Sequence, residues 1–389
     1  MDLALYVRIS LVMFLEFAIW GAWLPVLATR LLGPLKFTGK QTGWIYATLP
    51  LACIVSPLIA GQLADKWINT EYLLLGAHLA GAVLMFLAAR QTKFGRLFII
   101  MLFYSVFYAA TLPLVNSVLF AHISDVGLQG KVFIWAPIAW ALIGYFLTGW
   151  RWVFKTGEQG RDCLYLAAVL SVIMGVCCLF LPATPAARAG TAPILKVLSM
   201  LGEANFLVFV LVSVVGAGLM QVYFMGTAQF MQEVGVPNKN VPASMAIAQV
   251  VQAVATYFLM VLLIQNAGYK WTLVVGALCW ALLYVIYVGG KPTWLIVTAQ
   301  SLHGLAYVFF IIVGQIFANS VAPEESRSSM QALIFAATTG VGMYLGTQFG
   351  GAVMDKFKKD GKFQWRRIFM LPGAIMIVCA VVLAILFKG

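Results

Sequence analysis

The sequence predicts an all-α polytopic membrane protein with twelve transmembrane helices in two six-helix halves. Three observations carry that expectation. Nearly all of the 389-residue chain divides into apolar runs of about 17–27 residues, and a hydrocarbon core roughly 30 Å thick takes about 20 helical residues to cross. Hydrophobic residues make up 62% of the chain and charged residues only 10%, where a soluble domain has about 25% charged. The runs are continuously apolar, whereas barrel strands alternate. The helix is then the element that satisfies its own backbone in lipid.

In chain order the spans are 7–29, 41–64, 71–90, 97–121, 132–152, 163–181, 204–229, 242–265, 271–289, 293–318, 328–354 and 367–387. The first follows one early cation, Arg8, and precedes no small-residue cleavage site, so it is expected to remain as a spanning helix. Pro113 is expected to kink the fourth. In the eleventh, Gly340-Val341-Gly342 and Gly350-Gly351 suit close helix packing. Between the sixth and seventh, 182–203 contains Pro182, Pro185, Arg188, Gly190, Pro193 and Lys196, the composition of a surface connection. It is expected to be a cytoplasmic linker between an N-terminal half, 1–181, and a C-terminal half, 204–389. Paired halves of this kind carry solute sites near mid-membrane.

Twelve Trp and 14 Tyr suit two interfacial aromatic belts. The six cysteines show no metal spacing and read as small apolar packing residues. With the N-terminus inside, eight of the 25 Lys and Arg fall inside, and the cluster Lys356, Lys358, Lys359, Lys362, Arg366 and Arg367 falls outside. That distribution departs from the positive-inside tendency. A net charge of +12 would suggest nucleic acid for a soluble protein. Here the cations sit in loops, where lipid headgroups are the simpler partner, and no nucleic-acid partner is expected.

Polar groups inside the spans are costly in lipid and are candidates for function. Glu16 lies near the middle of the first span, with Trp20 and Trp23 following at i+4 and i+7 on the same face. A carboxylate withdrawn from water holds a proton more readily, so Glu16 is the candidate for proton coupling. In the eighth span Gln249, Gln252 and Thr256 form a polar stripe at i, i+3 and i+7. Their amides offer donors and acceptors to a neutral polar ligand, and glutamines also join helices. The tenth span carries Gln300, His303 and Tyr307 with the same spacing. The seventh offers Gln221 and Tyr223, and the fourth Tyr108, Thr111, Asn116 and Ser117 around Pro113. Trp140 and Phe133 can stack on a planar ring or simply pack. There is no GxxxxGK[ST] loop, HExxH motif or Cys/His ligand set. No enzyme activity, cofactor or metal is expected, and any pumping would draw on an ion gradient.

Particular residues resemble the nucleoside:proton symporter family of the major facilitator superfamily along the whole chain. They are Trp20-Gly21-Ala22-Trp23-Leu24, Gly61-Gln62-Leu63-Ala64-Asp65-Lys66-Trp67, Thr111-Leu112 with Asn116-Ser117, Ile134-Trp135, and His303-Gly304 with Phe309-Phe310. The resemblance implies nucleoside transport by alternating access with proton coupling, in a bacterial cytoplasmic membrane; a monomer is expected. It implies that Asp65 and Lys66 act at a cytoplasmic gate. It carries Gln249 over as a ligand contact and Tyr307 as an aromatic against the base, with His303, Tyr223 and Met220 as pocket residues. The chain departs from the family at Gln252 and Val308, where members carry acids, and at Phe133, where they carry arginine. Glu16 stands where members usually have an amide, so the coupling carboxylate is expected to have moved there. The alternatives are an uncoupled facilitator of another small polar solute and a non-transporting membrane sensor. A sensor would need an output domain, and only Lys388 and Gly389 follow the last span.

Overall fold

The computed structural model describes residues 3–123, 126–184, 198–322, 330 and 333–389. The expected spans appear as α1 (Leu3–Trp23) with α2 (Leu27–Leu32), α3 (Gly39–Lys66), α4 (Thr70–Arg90), α5 (Phe94–His122), α6 (Val126–Phe133) with α7 (Trp135–Phe154), and α8 (Asp162–Cys178). Then come α9 (Ala204–Glu233), α10 (Val241–Val254), α11 (Met260–Gly289), α12 (Thr293–Thr298), α13 (Gln300–Ala306), α14 (Val313–Val321), α15 (Met343–Lys356) and α16 (Trp365–Leu386). Among the described residues nine helical stretches are long and apolar enough to cross a membrane. One of them, Asn238–Gly289, is 52 residues long and is broken by Gly268 at φ 72°, ψ 175°. That break falls in the gap expected between the eighth and ninth spans. With α8 and the helix ending at Lys356, the arrangement is consistent with twelve crossings.

Local chemistry accounts for the interruptions. Pro25 lacks an N–H, and the chain turns between α1 and α2 there. The tenth span is divided at Ala299, and single π-helical turns interrupt three helices at Ala255–Leu259, Tyr307–Ile312 and Ala336–Gly342. Such turns in long helices often accompany functional sites. The cation cluster near the C-terminus forms a small antiparallel hairpin, β1 (Lys358–Lys359) with β2 (Lys362–Phe363). Its two-residue turn places Asp360 at φ 50° and Gly361 at φ 78°, the conformation that Asp-Gly favours in tight hairpins.

The chain forms two compact units. The first comprises Met1–Phe37, Leu51–Gly190 and Asn238–Ala246. In it, α1 packs on α7 and α8, and α4 packs on α5 and α8. The buried Arg30 on α2 donates to the carbonyls of Gln159 (2.7 Å), Gln91 (2.8 Å) and Ala89 (3.2 Å), tying α2 to the end of α4 and to the segment between α7 and α8. Arg151, also buried, makes a bidentate pair with Asp162 at 2.7 and 2.9 Å.

The second unit comprises Thr38–Pro50, Thr191–Pro237 and Ile247–Gly389. Its tightest crossing is between α9 and α15, where Gly218 faces Gly342 and Gly346 backbone to backbone. Asp355 accepts the N–H groups of Gly39 and Lys40, the latter at 2.9 Å. These are unpaired donors at the start of α3, where a carboxylate is favourable. Large apolar side chains such as Leu58, Val83, Phe146, Val169, Leu262 and Ile385 are exposed on the helices. Lipid is the medium in which such a surface is stable.

Most of the expected linker, residues 185–197, lies outside the described residues. Asp65 and Lys66 end α3 with their backbone, and their side chains also lie outside the described residues.

Candidate functional site

Two polar clusters sit inside otherwise apolar helices, one in each unit. In the first unit Glu16 is fully buried on α1. Its Oε1 lies 2.7 Å from Thr111 Oγ1, and its Oε2 lies 2.9 Å from His78 Nε2. Tyr108 donates its hydroxyl to the Glu16 carbonyl at 2.7 Å, so α5 grips α1 at both main chain and side chain. An aromatic wall continues from this point. Trp20 meets Tyr108 edge-on at 6.1 Å and Trp140 at 5.7 Å, and Trp23 meets Tyr104 at 6.0 Å. Gly21 admits Trp140, since a Cβ there would lie 3.0 Å from its ring. Trp20 and Trp140 are half-buried and Trp23 is buried, while Asn116 is half-buried on α5. Phe133 lies on the exposed side of α6 against Phe120, with ring centroids 6.1 Å apart.

In the second unit His303 is the centre. Trp280 Nε1 lies 3.1 Å from His303 Nδ1. An indole N–H only donates, so Nδ1 accepts and the neutral imidazole carries its hydrogen on Nε2. That Nε2 is buried with no hydrogen-bond partner among the described residues. His303 stacks on Tyr223 at 3.9 Å with planes 8° apart, and Phe224 closes on it edgewise at 5.6 Å. Tyr223 donates to Gln300 Oε1 at 2.7 Å, and Gln300 in turn donates to the Tyr287 hydroxyl and to the Ile296 carbonyl. Gln300 is thereby committed to holding the helices, and His303 retains a free donor in a fixed orientation. Gln221 is buried two residues before Tyr223, and its Oε1 has no hydrogen-bond partner among the described residues.

The polar stripes of the eighth and tenth spans meet. A Cβ on Gly304 would lie 2.1 Å from the Ala248 carbonyl oxygen and 3.0 Å from the Gln252 nitrogen. Glycine therefore lets α13 lie directly on α10, beside His303 on one helix and Gln249 and Gln252 on the other. Gln252 is buried, and Gln249 and Tyr307 are half-buried. Tyr307 begins one π turn and Gln252 precedes another. Val308, at a position where an acid was expected from the resemblance, is packed against Ala255 and Phe309.

Three partners escaped the sequence reading. His78, Trp280 and Tyr287 come from helices other than those of the groups they touch. The only local signal was that each is a polar-tipped side chain within an apolar run.

The whole chain, residues 1–389, matches the profile of proteins described as nucleoside H+ symporters. The chain belongs to that family. The YegT protein of Escherichia coli (strain K12) is 30% identical over 98% of this chain and 93% of its own length. The nucleoside permease NupG of the same organism is 25% identical over 99% of this chain and 96% of its own. The crystal structure of the nucleoside transporter NupG superposes with a TM-score of 0.88 at 24% identity, covering 100% of both chains. The fold of this symporter-family member is therefore that of an all-α membrane transporter, and it is a permease rather than an enzyme. It is a multi-pass protein of the cytoplasmic membrane.

Proposed function

We propose that the protein carries nucleosides across the membrane together with protons, by alternating access. Membership of the nucleoside H+ symporter family over residues 1–389 carries this reading. The chemistry of the second unit supports it. A nucleoside is neutral, planar at one end and rich in hydroxyls at the other. Gln249, Gln252 and Gln221 supply mixed donors and acceptors for such a ligand. His303 presents its Nε2–H as an oriented donor, and Tyr307 and Tyr223 supply rings for the base. In the first unit Trp20, Trp23, Trp140, Asn116 and Phe133 are proposed to shape the cavity, and Glu16 to carry the proton. Residues 1–181 and 204–389 are proposed to act as the two rocking halves, with Asp65 and Lys66 at the gate. Each molecule is proposed to act as a monomer.

Uptake of radiolabelled uridine and adenosine into proteoliposomes, with and without an inward proton gradient, tests the reading. Saturable uptake accelerated by the gradient is expected. Saturable uptake indifferent to the gradient would instead identify an uncoupled facilitator, and absence of uptake and of binding by folded protein would refute nucleoside transport.

A further inference from the structure

Thr111 has one hydroxyl hydrogen and two acceptors at equal distance: Oε1 of Glu16 and the carbonyl oxygen of Tyr108, each 2.7 Å from Oγ1. One hydrogen cannot serve both well. Both contacts are satisfied together when Oε1 itself carries a proton and donates it to Oγ1, leaving the Thr111 hydrogen for the carbonyl. His78 Nε2 stands on the other side, 2.9 Å from Oε2, without an aligned hydrogen bond. It faces that oxygen without donating to it.

A carboxyl and an imidazole in contact hold one proton in either of two neutral arrangements, acid with imidazole or carboxylate with imidazolium. Adding or removing a proton leaves a net charge in a site that is 0–2% exposed, which burial strongly disfavours. Among the described residues the other titratable groups within reach are Tyr104 and Tyr108 on α5, Cys178 on α8 and, next to Tyr108, Cys53 on α3. These are neutral around pH 7. The facing residue on α7 is Trp140, which has no charge. Among the described residues the other buried glutamate, Glu71, is occupied at the start of α4 by the Thr184 N–H and the Asn69 amide.

We propose that Glu16, His78 and Thr111 together form the binding site of the transported proton. The proton rests on Glu16 Oε1 in this conformation, and His78 is the positioning residue that lets the pair keep exactly one. This rests on the symporter reading above. The proton arrives from water on one side and leaves to water on the other, and no other bond is made or broken.

Two readouts on the full-length protein test the proposal separately from that reading. The first is infrared difference spectroscopy of the purified protein during a pH titration. Wild type is expected to show a protonated-carboxyl C=O band that Glu16→Gln lacks and that Thr111→Val shifts. A band unchanged in both variants would overturn the assignment whether or not nucleosides are carried. The second is transport. Glu16→Gln places an amide N–H where the acid O–H donates to Thr111. It is expected to lose proton-driven accumulation, with its elution profile on gel filtration unchanged. Accumulation at the wild-type level in Glu16→Gln would overturn the proposal. His78→Leu removes the group that faces Oε2, so the C=O band is expected to shift and proton-driven accumulation to fall. A band and an accumulation both unchanged would remove His78 from the site. Wild-type protein that neither binds nor carries nucleoside would refute the symporter reading alone, leaving the infrared result to decide the proton site.

Discussion

Replacing Gly346 with alanine is the sharpest probe of how the second unit is held together. A Cβ at that position would lie 1.9 Å from the Gly218 carbonyl oxygen and 2.4 Å from its Cα. Ordinary contact begins at 3.4 Å, so α9 and α15 would have to separate locally by roughly 1.5 Å. The obstructing atoms are backbone, which has no alternative rotamer. On the opposite side Gly218 and Gly342 are themselves glycines already in close approach, with Gly342 set against the Val214 carbonyl. Overpacking a tight interface costs about 1–3 kcal/mol, occasionally more, and the absence of a yielding side chain puts Gly346→Ala at about 3 kcal/mol. At roughly 2–4 °C per kcal/mol for a body of this size, the unfolding midpoint should fall by about 6–12 °C. Thermal unfolding of the purified protein in detergent, followed by loss of monodisperse material, measures it. Gly76→Ala is the control, because nothing lies within 4 Å of a Cβ there and alanine is the better helix former by about 1 kcal/mol. Equal midpoints for the two variants would refute the claim that glycine-only contact sets the spacing of these helices.

Other perturbations follow the same logic. Asp162→Asn leaves the buried Arg151 guanidinium without its bidentate partner, and loss of about 3–5 kcal/mol should appear as a large fall in the same thermal assay. Gln249→Ala should raise KM for nucleoside uptake by about three- to tenfold, the worth of one hydrogen bond to a neutral ligand, with the elution profile unchanged. Trp280→Phe keeps most of the ring packing but frees His303 Nδ1 to take the hydrogen. Nucleoside affinity by calorimetry should weaken about tenfold or more if the Nε2 donor is used, whereas an unaltered affinity would remove His303 from the ligand.

Much of the architecture was legible because it is local. A membrane span must bond its own backbone, so its limits follow from where apolar residues begin and end, and α3, α4, α5, α9 and α16 start and stop within a few residues of the expected positions. Polar stripes were legible for the same reason, since helical spacing alone places Gln249 with Gln252 and His303 with Tyr307. The hairpin at Asp360-Gly361 was also written locally, in a dipeptide suited to its turn, but the surrounding lysines drew attention to charge instead.

Glu16 could be singled out from sequence, because a carboxylate deep in an apolar run is conspicuous wherever the neighbouring helices lie. His78, 62 residues further on, could not be joined to it, nor Trp280 to His303, nor Gly218 to Gly346. Those pairings depend on which faces of separate helices meet and on how closely their backbones approach. Helical periodicity orders residues along one helix and is silent about its neighbour. The neighbours of Glu16, the tautomer of His303 and the spacing of α9 and α15 were therefore decided by tertiary structure, through contacts of 2–4 Å between helices whose facing sides the sequence does not specify.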